Sequence, residues 1–137
     1  MTPGRSASVA VLALVLAGCG GATDHRARLT VDQSFESDGY FEGQFSYLRV
    51  EGPVTRTVKR ANEPNLHVEL RLPAGRYTLS SWQRGCEAGC AAGERGDPPS
   101  ARCSTAALLH ADSAQFAEVA VDPRRGACRI EIYARLG

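Results

Sequence analysis

Residues 66–72 read LHVELRL, an unbroken alternation of apolar and polar side chains. In an extended chain successive side chains project to opposite faces, so Leu66, Val68, Leu70 and Leu72 share one side and His67, Glu69 and Arg71 the other. A helix would scatter the same four apolar residues around its circumference. The segment is therefore a strand with one dry and one wet face. The pattern recurs in CRIEIYA, where Cys128, Ile130, Ile132 and Ala134 oppose Arg129, Glu131 and Tyr133. It recurs again in FAEVAVD through Ala117, Val119 and Val121, and in ARLTVDQ through Leu29 and Val31. FSYLRVEG and VTRTVK flank Gly52-Pro53, which predicts a hairpin or a tight corner. Pro73-Ala74-Gly75 separates LHVELRL from RYTLSSWQ, which predicts a second hairpin. TAALLHADSA is ambiguous: it reads as strand or irregular chain, with a short helix as the alternative. Seven or eight short strands and frequent turn signals point to an all-β chain, an antiparallel sandwich or barrel.

The first part of the chain does not belong to that pattern. Residues 6–17, SASVAVLALVLA, carry no charge, and Arg5 is the only charge before them. The run is too short for a spanning helix, which needs about 20 apolar residues. A basic start, a short apolar core and small residues after it describe an export signal. Leu16-Ala17-Gly18-Cys19 then resembles the bacterial lipobox. That resemblance implies a lipoprotein signal peptide over residues 1–18, cleavage after Gly18 and a diacylglycerol on Cys19. Lipidation there makes the membrane a partner of the chain, on the extracytoplasmic side. Residues 19–26 form the lipidated tether and residues 27–137 one β-sandwich domain. The polar stretch 20–26 reaches about 23 Å at roughly 3.3 Å per residue.

A lipid with two chains anchors stably without help from basic residues. The chain holds 16 Lys and Arg against 15 Asp and Glu, and loss of residues 1–18 removes only Arg5, leaving 15 of each. This balance shows no basic patch and argues against nucleic acid as a partner.

Assigning Cys19 to lipid leaves Cys86, Cys90, Cys103 and Cys128. In an exported protein four cysteines most simply form two disulfides, in any of three connectivities. The preferred pairing joins Cys90 to Cys103 across the Gly/Pro-rich loop AAGERGDPPSAR and Cys86 to Cys128 at strand edges. A zinc site is disfavoured because Cys86-x3-Cys90 has no second close pair. CEAGC also lacks the C-x2-C spacing of a redox motif.

In LRLPAGRYTLSSW, Leu72, Pro73, Gly75, Tyr77 and Leu79 resemble an element of transthyretin-like and carboxypeptidase-regulatory-like β-sandwiches. The resemblance implies an immunoglobulin- or transthyretin-like sandwich of about seven strands, and it implies no activity. The whole chain also resembles small actinobacterial lipoproteins of unassigned role.

Catalytic signatures are absent: there is no G-x-S-x-G, H-E-x-x-H or P-loop. His25 lies in the tether, His67 on the polar side of a strand, and His110 in the ambiguous segment. Neither His25 nor His67 has an obvious neighbouring ligand in sequence, so a non-catalytic domain is expected, one that binds a small ligand or an envelope protein or organises the envelope. No cofactor is expected. The candidate binding residues are Asp32, Glu36, Asp38, Tyr40 and Glu42 in DQSFESDGYFEG, together with Trp82. Oxygen ligands beside a tight turn make that loop the alternative site for calcium or a small ligand, although the EF-hand order is missing. Trp82 falls opposite Tyr77 and Leu79 if its strand is regular, on an outer face that suits a partner. A bulge or a second covered face would bury it instead.

Overall fold

The computed structural model describes residues 25–36, 44–61, 66–85 and 99–134. These contain eight strands and no helix: β1 (Ala27–Phe35), β2 (Gln44–Glu51), β3 (Thr55–Ala61), β4 (Leu66–Leu72), β5 (Gly75–Gly85), β6 (Ser100–Leu109), β7 (Ala114–Asp122) and β8 (Ala127–Ala134). They form two four-stranded sheets, β4-β1-β7-β8 (sheet A) and β3-β2-β5-β6 (sheet B). The fold is the disulfide-stapled β-sandwich that alternation predicts. Every pairing is antiparallel except β1 with β7, which run parallel. The ambiguous segment resolves into the end of β6, a turn over residues 110–113, and the start of β7.

The alternating apolar residues meet between the sheets. Leu29, Val31, Leu72, Val119 and Val121 of sheet A face Leu48, Val50, Tyr77, Leu79 and Leu109 of sheet B, all buried. Each such aliphatic side chain contributes about 1.5–3 kcal/mol on burial, so this layer holds the sheets together. β1 runs from a near pole at Ala27 to a far pole at Phe35. The registers Ala27↔Leu72 and Gly75↔Leu109 put the starts of β1 and β5 at the near pole. Gln44↔Gly85 puts the end of β5 at the far pole. There the core turns polar, with Gln33, Ser46, Ser81 and Gln83 buried and the Ser46 hydroxyl donating to Gln83 Oε1 at 3.0 Å.

Two expectations are corrected. Pro73-Ala74-Gly75 is not a hairpin: β4 is an edge of sheet A and β5 is central in sheet B, so the tripeptide carries the chain between sheets. Tyr77 locks this corner by donating its hydroxyl to Pro73 O at 2.9 Å. Gly52-Pro53 packs against the corner so closely that a Cβ on Gly75 would lie 2.6 Å from Pro53 Cγ. Hydrogen bonding within β4 and β5 is taken up by other neighbours, and local turn signals do not distinguish the two outcomes.

The preferred disulfide pairing is also overturned. Cys103 bonds Cys128, with Cα atoms 5.5 Å apart, so neither Cys86–Cys128 nor Cys90–Cys103 forms. β6 and β8 are the edges of the two sheets on the same side of the sandwich. Both cysteines face inward at that open side, and the bridge staples sheet B to sheet A. Cys19, Cys86 and Cys90 lie outside the described residues.

Candidate ligand-binding face

The sequence-predicted site residues do not converge. Asp32 projects from the outer face of sheet A, where its carboxylate meets His67 Nδ1 at 2.6 Å across the β1–β4 pair. Glu36, just past β1, lies 3.6 Å from Arg129. Phe35 turns inward and packs on the core. Asp38, Tyr40 and Glu42 lie outside the described residues. Among the described residues no group of three or more His, Cys, Asp and Glu is arranged to hold a metal ion. Trp82 is on the other side of the molecule, on the outer face of sheet B. His25 pairs with Asp112 at 2.8 Å near the start of β1, and the His110 side chain is exposed.

Trp82 stands opposite Tyr77 and Leu79, as a regular strand requires, and it is half-buried rather than covered. Register pairs it with Tyr47 on β2. The two rings stack with centroids 5.2 Å apart and planes 5° from parallel. Beyond Tyr47, Phe45 carries the Lys59 ammonium 4.4 Å from its ring centroid, a cation–π contact that extends the row.

On its other side Trp82 meets an irregularity. Ser81 pairs with Cys103 and Gln83 with Ser100, so Ala101 and Arg102 together oppose Trp82. This is a β-bulge, in which an extra residue on one strand re-aims the side chains beside it. Ala101 accommodates it with a φ of 46°, a left-handed conformation that costs a residue with a Cβ about 1–2 kcal/mol. The result is that Ala101 is buried while Arg102 is exposed.

An open depression of about 540 Å³ occupies the space beside the bulge. Trp82, Arg84, Arg102, Ser80, Ser104 and Arg49 are among its lining residues, and Tyr47 is not, so one indole face is stacked and the other is free. Arg49 is engaged by Glu51 at 3.2 Å. Arg84 and Arg102 have no ion-pair partner among the described residues. The Arg84 Nε is buried with no hydrogen-bond partner.

Alternation also sorts the charges. Arg49, Lys59, Arg76, Arg84 and Arg102 lie on the outer face of sheet B with Glu51 as the opposing carboxylate. On sheet A the register aligns Asp32, Glu118 and Glu131 across three strands, and Arg28, Arg71 and Arg129 share that outer face with them and with Glu69. The expectation of no basic patch is thereby corrected: the neutral total hides a basic face. Tyr47, Arg84 and Arg102 were not singled out by sequence reasoning. Parity along FSYLRVEG and RYTLSSWQRG places Tyr47, Trp82 and Arg84 on outer faces, but only strand order makes them neighbours.

Searches of protein-family models, of curated proteins and of solved structures find nothing that matches this chain.

Proposed function

We propose that this chain is a lipid-anchored, extracytoplasmic binding protein with no catalytic role, and that its ligand face is the outer side of sheet B. The observation that carries the reading is the free indole face of Trp82 beside two guanidiniums, Arg84 and Arg102, with no ion-pair partner among the described residues. Ligand sites combine apolar or aromatic surface with a few convergent polar groups, and this depression has both. Burial and alternation need neither group there, since the core is complete without them.

Export is supported by the LAGC segment ending at Cys19 and by the Cys103–Cys128 bond, because disulfides persist in oxidising compartments. A tether leading into Ala27 attaches the domain by its near pole and leaves the Trp82 depression toward the far pole. The alternative loop site is less favoured: Asp32 already meets the His67 ring and Glu36 the Arg129 guanidinium.

Cys19→Ser is expected to release the chain from the membrane fraction. The released chain should then co-sediment with isolated envelopes through sheet B. Trp82→Ala should lower the bound fraction about fivefold, the value of one aromatic stack, while Asp32→Asn on the opposite face leaves it unchanged. Retention of the Cys19→Ser chain in membranes overturns the anchor. Equal co-sedimentation of the Trp82 variant overturns the face.

A further inference from the structure

We infer that the ligand of this face is an acidic glycan, a chain of sugar rings bearing carboxylate or phosphate groups; the inference rests on the binding-face reading above. Three features of the depression select that class together. The free face of Trp82 offers a flat, electron-rich surface that matches the C–H face of a pyranose ring. Arg84 and Arg102 offer planar forks of N–H donors, the geometry that engages a carboxylate or phosphate through two parallel hydrogen bonds. Ser80, Ser104 and Glu51 add hydroxyl and carboxylate groups that exchange hydrogen bonds with sugar hydroxyls.

Other occupants satisfy only part of this. A neutral sugar leaves the charges of the two guanidiniums uncompensated. An acidic peptide supplies the charge and no ring for Trp82. A protein partner of ordinary type buries an apolar centre, whereas this depression is lined mainly by polar and charged side chains. A lipid headgroup lies at the wrong end, because Arg84 and Arg102 sit beside the far-pole register Gln83↔Ser100 and the tether enters at Ala27. The β6 bulge gives the site its shape. It sets Arg102 across from Trp82, so that charge and ring face one ligand unit, while Ala101 beside it turns into the core.

Trp82 is the single tryptophan of the chain, so its fluorescence reports on this depression alone. The full chain, purified in detergent, should show saturable changes in emission with polygalacturonate if the anion is a carboxylate, or with phosphomannan if it is a phosphate. Dextran, polyglutamate and glycerol 1-phosphate should bind at least tenfold more weakly. Arg84→Gln combined with Arg102→Gln should weaken binding of the acidic glycan roughly tenfold or more, since hydrogen bonds to charged groups are the strong ones. Raising salt should weaken the wild type more steeply than the double variant. Equal binding of polyglutamate or glycerol 1-phosphate removes the sugar from the proposal and leaves the binding face intact. Equal binding of dextran removes the anion. If neither acidic polymer binds, the ligand class is wrong; Trp82-dependent co-sedimentation with envelopes then shows whether the face itself still stands.

Discussion

The Cys103–Cys128 bridge allows a quantitative test of how the sandwich is held together. The bonded residues are 25 apart in sequence and join the edge of one sheet to the edge of the other. In the chain-entropy account, cross-linking a loop of 25 residues removes denatured-state freedom worth about 3.5 kcal/mol at 25 °C. The variant Cys103→Ala/Cys128→Ala should lose about that much in urea-unfolding free energy. For a domain of roughly 110 residues the entropy of unfolding is about 0.23 kcal/mol per degree, so Tm should fall by about 15 °C. The effect should appear as a lower midpoint with a slightly larger denaturant slope, because the uncrosslinked chain exposes more surface when unfolded. Connectivity is tested by the single variant Cys103→Ala. Alkylation and peptide mapping should find the released thiol on Cys128; a thiol on Cys90 would restore the rejected pairing. A double variant that loses less than about 1 kcal/mol would refute the entropic reasoning, placing the hold between the sheets in the core layer of Leu29, Leu72, Leu79 and Leu109 alone.

Further expectations concern the inter-sheet corner. Tyr77→Phe deletes the hydroxyl bond to Pro73 O and should cost about 1–2 kcal/mol in denaturant unfolding. Burial also holds the Tyr77 phenol above its ordinary pKa of 10.0, an effect partly offset by the Val54 backbone and the Arg56 charge. Above pH 10 the unfolded chain therefore loses this proton while the folded chain keeps it. The contribution is fully present below pH 10 and declines as pH rises toward the higher folded value, so Tyr77→Phe should flatten the alkaline fall in stability measured from pH 9 upward. Gly75→Ala should cost at least about 2 kcal/mol by the same assay, because its φ is 152° and its Cβ would meet Pro53 Cγ at 2.6 Å.

Residue parity explains why some of this molecule was legible and some was not. Whether a side chain points in or out depends on its own strand, so Val68, Leu72, Val119 and Val121 were identifiable as core from alternation alone. Which strands become neighbours depends on pairing between distant segments, and nothing local to Pro73-Ala74-Gly75 distinguishes a hairpin from a crossing between sheets. The same holds for Cys103 and Cys128, whose approach requires β6 and β8 to be edges on one side. The binding face combines both cases. Parity sent Trp82 and Arg84 outward, but Tyr47 becomes the stacking partner only through the β2–β5 register, and Arg102 arrives only through the bulge in β6.

Net charge misleads for the same reason. It adds the two outer faces of the sandwich, and these differ: sheet A mixes Asp32, Glu69, Glu118 and Glu131 with Arg28, Arg71 and Arg129, and sheet B presents Arg49, Arg84 and Arg102 around one depression. Screening at physiological salt acts over about 8 Å, and packed sheets lie about 10 Å apart. A ligand at Trp82 therefore responds to the charges of its own sheet, and a chain with equal numbers of acids and bases can present a cationic surface to an anionic polymer.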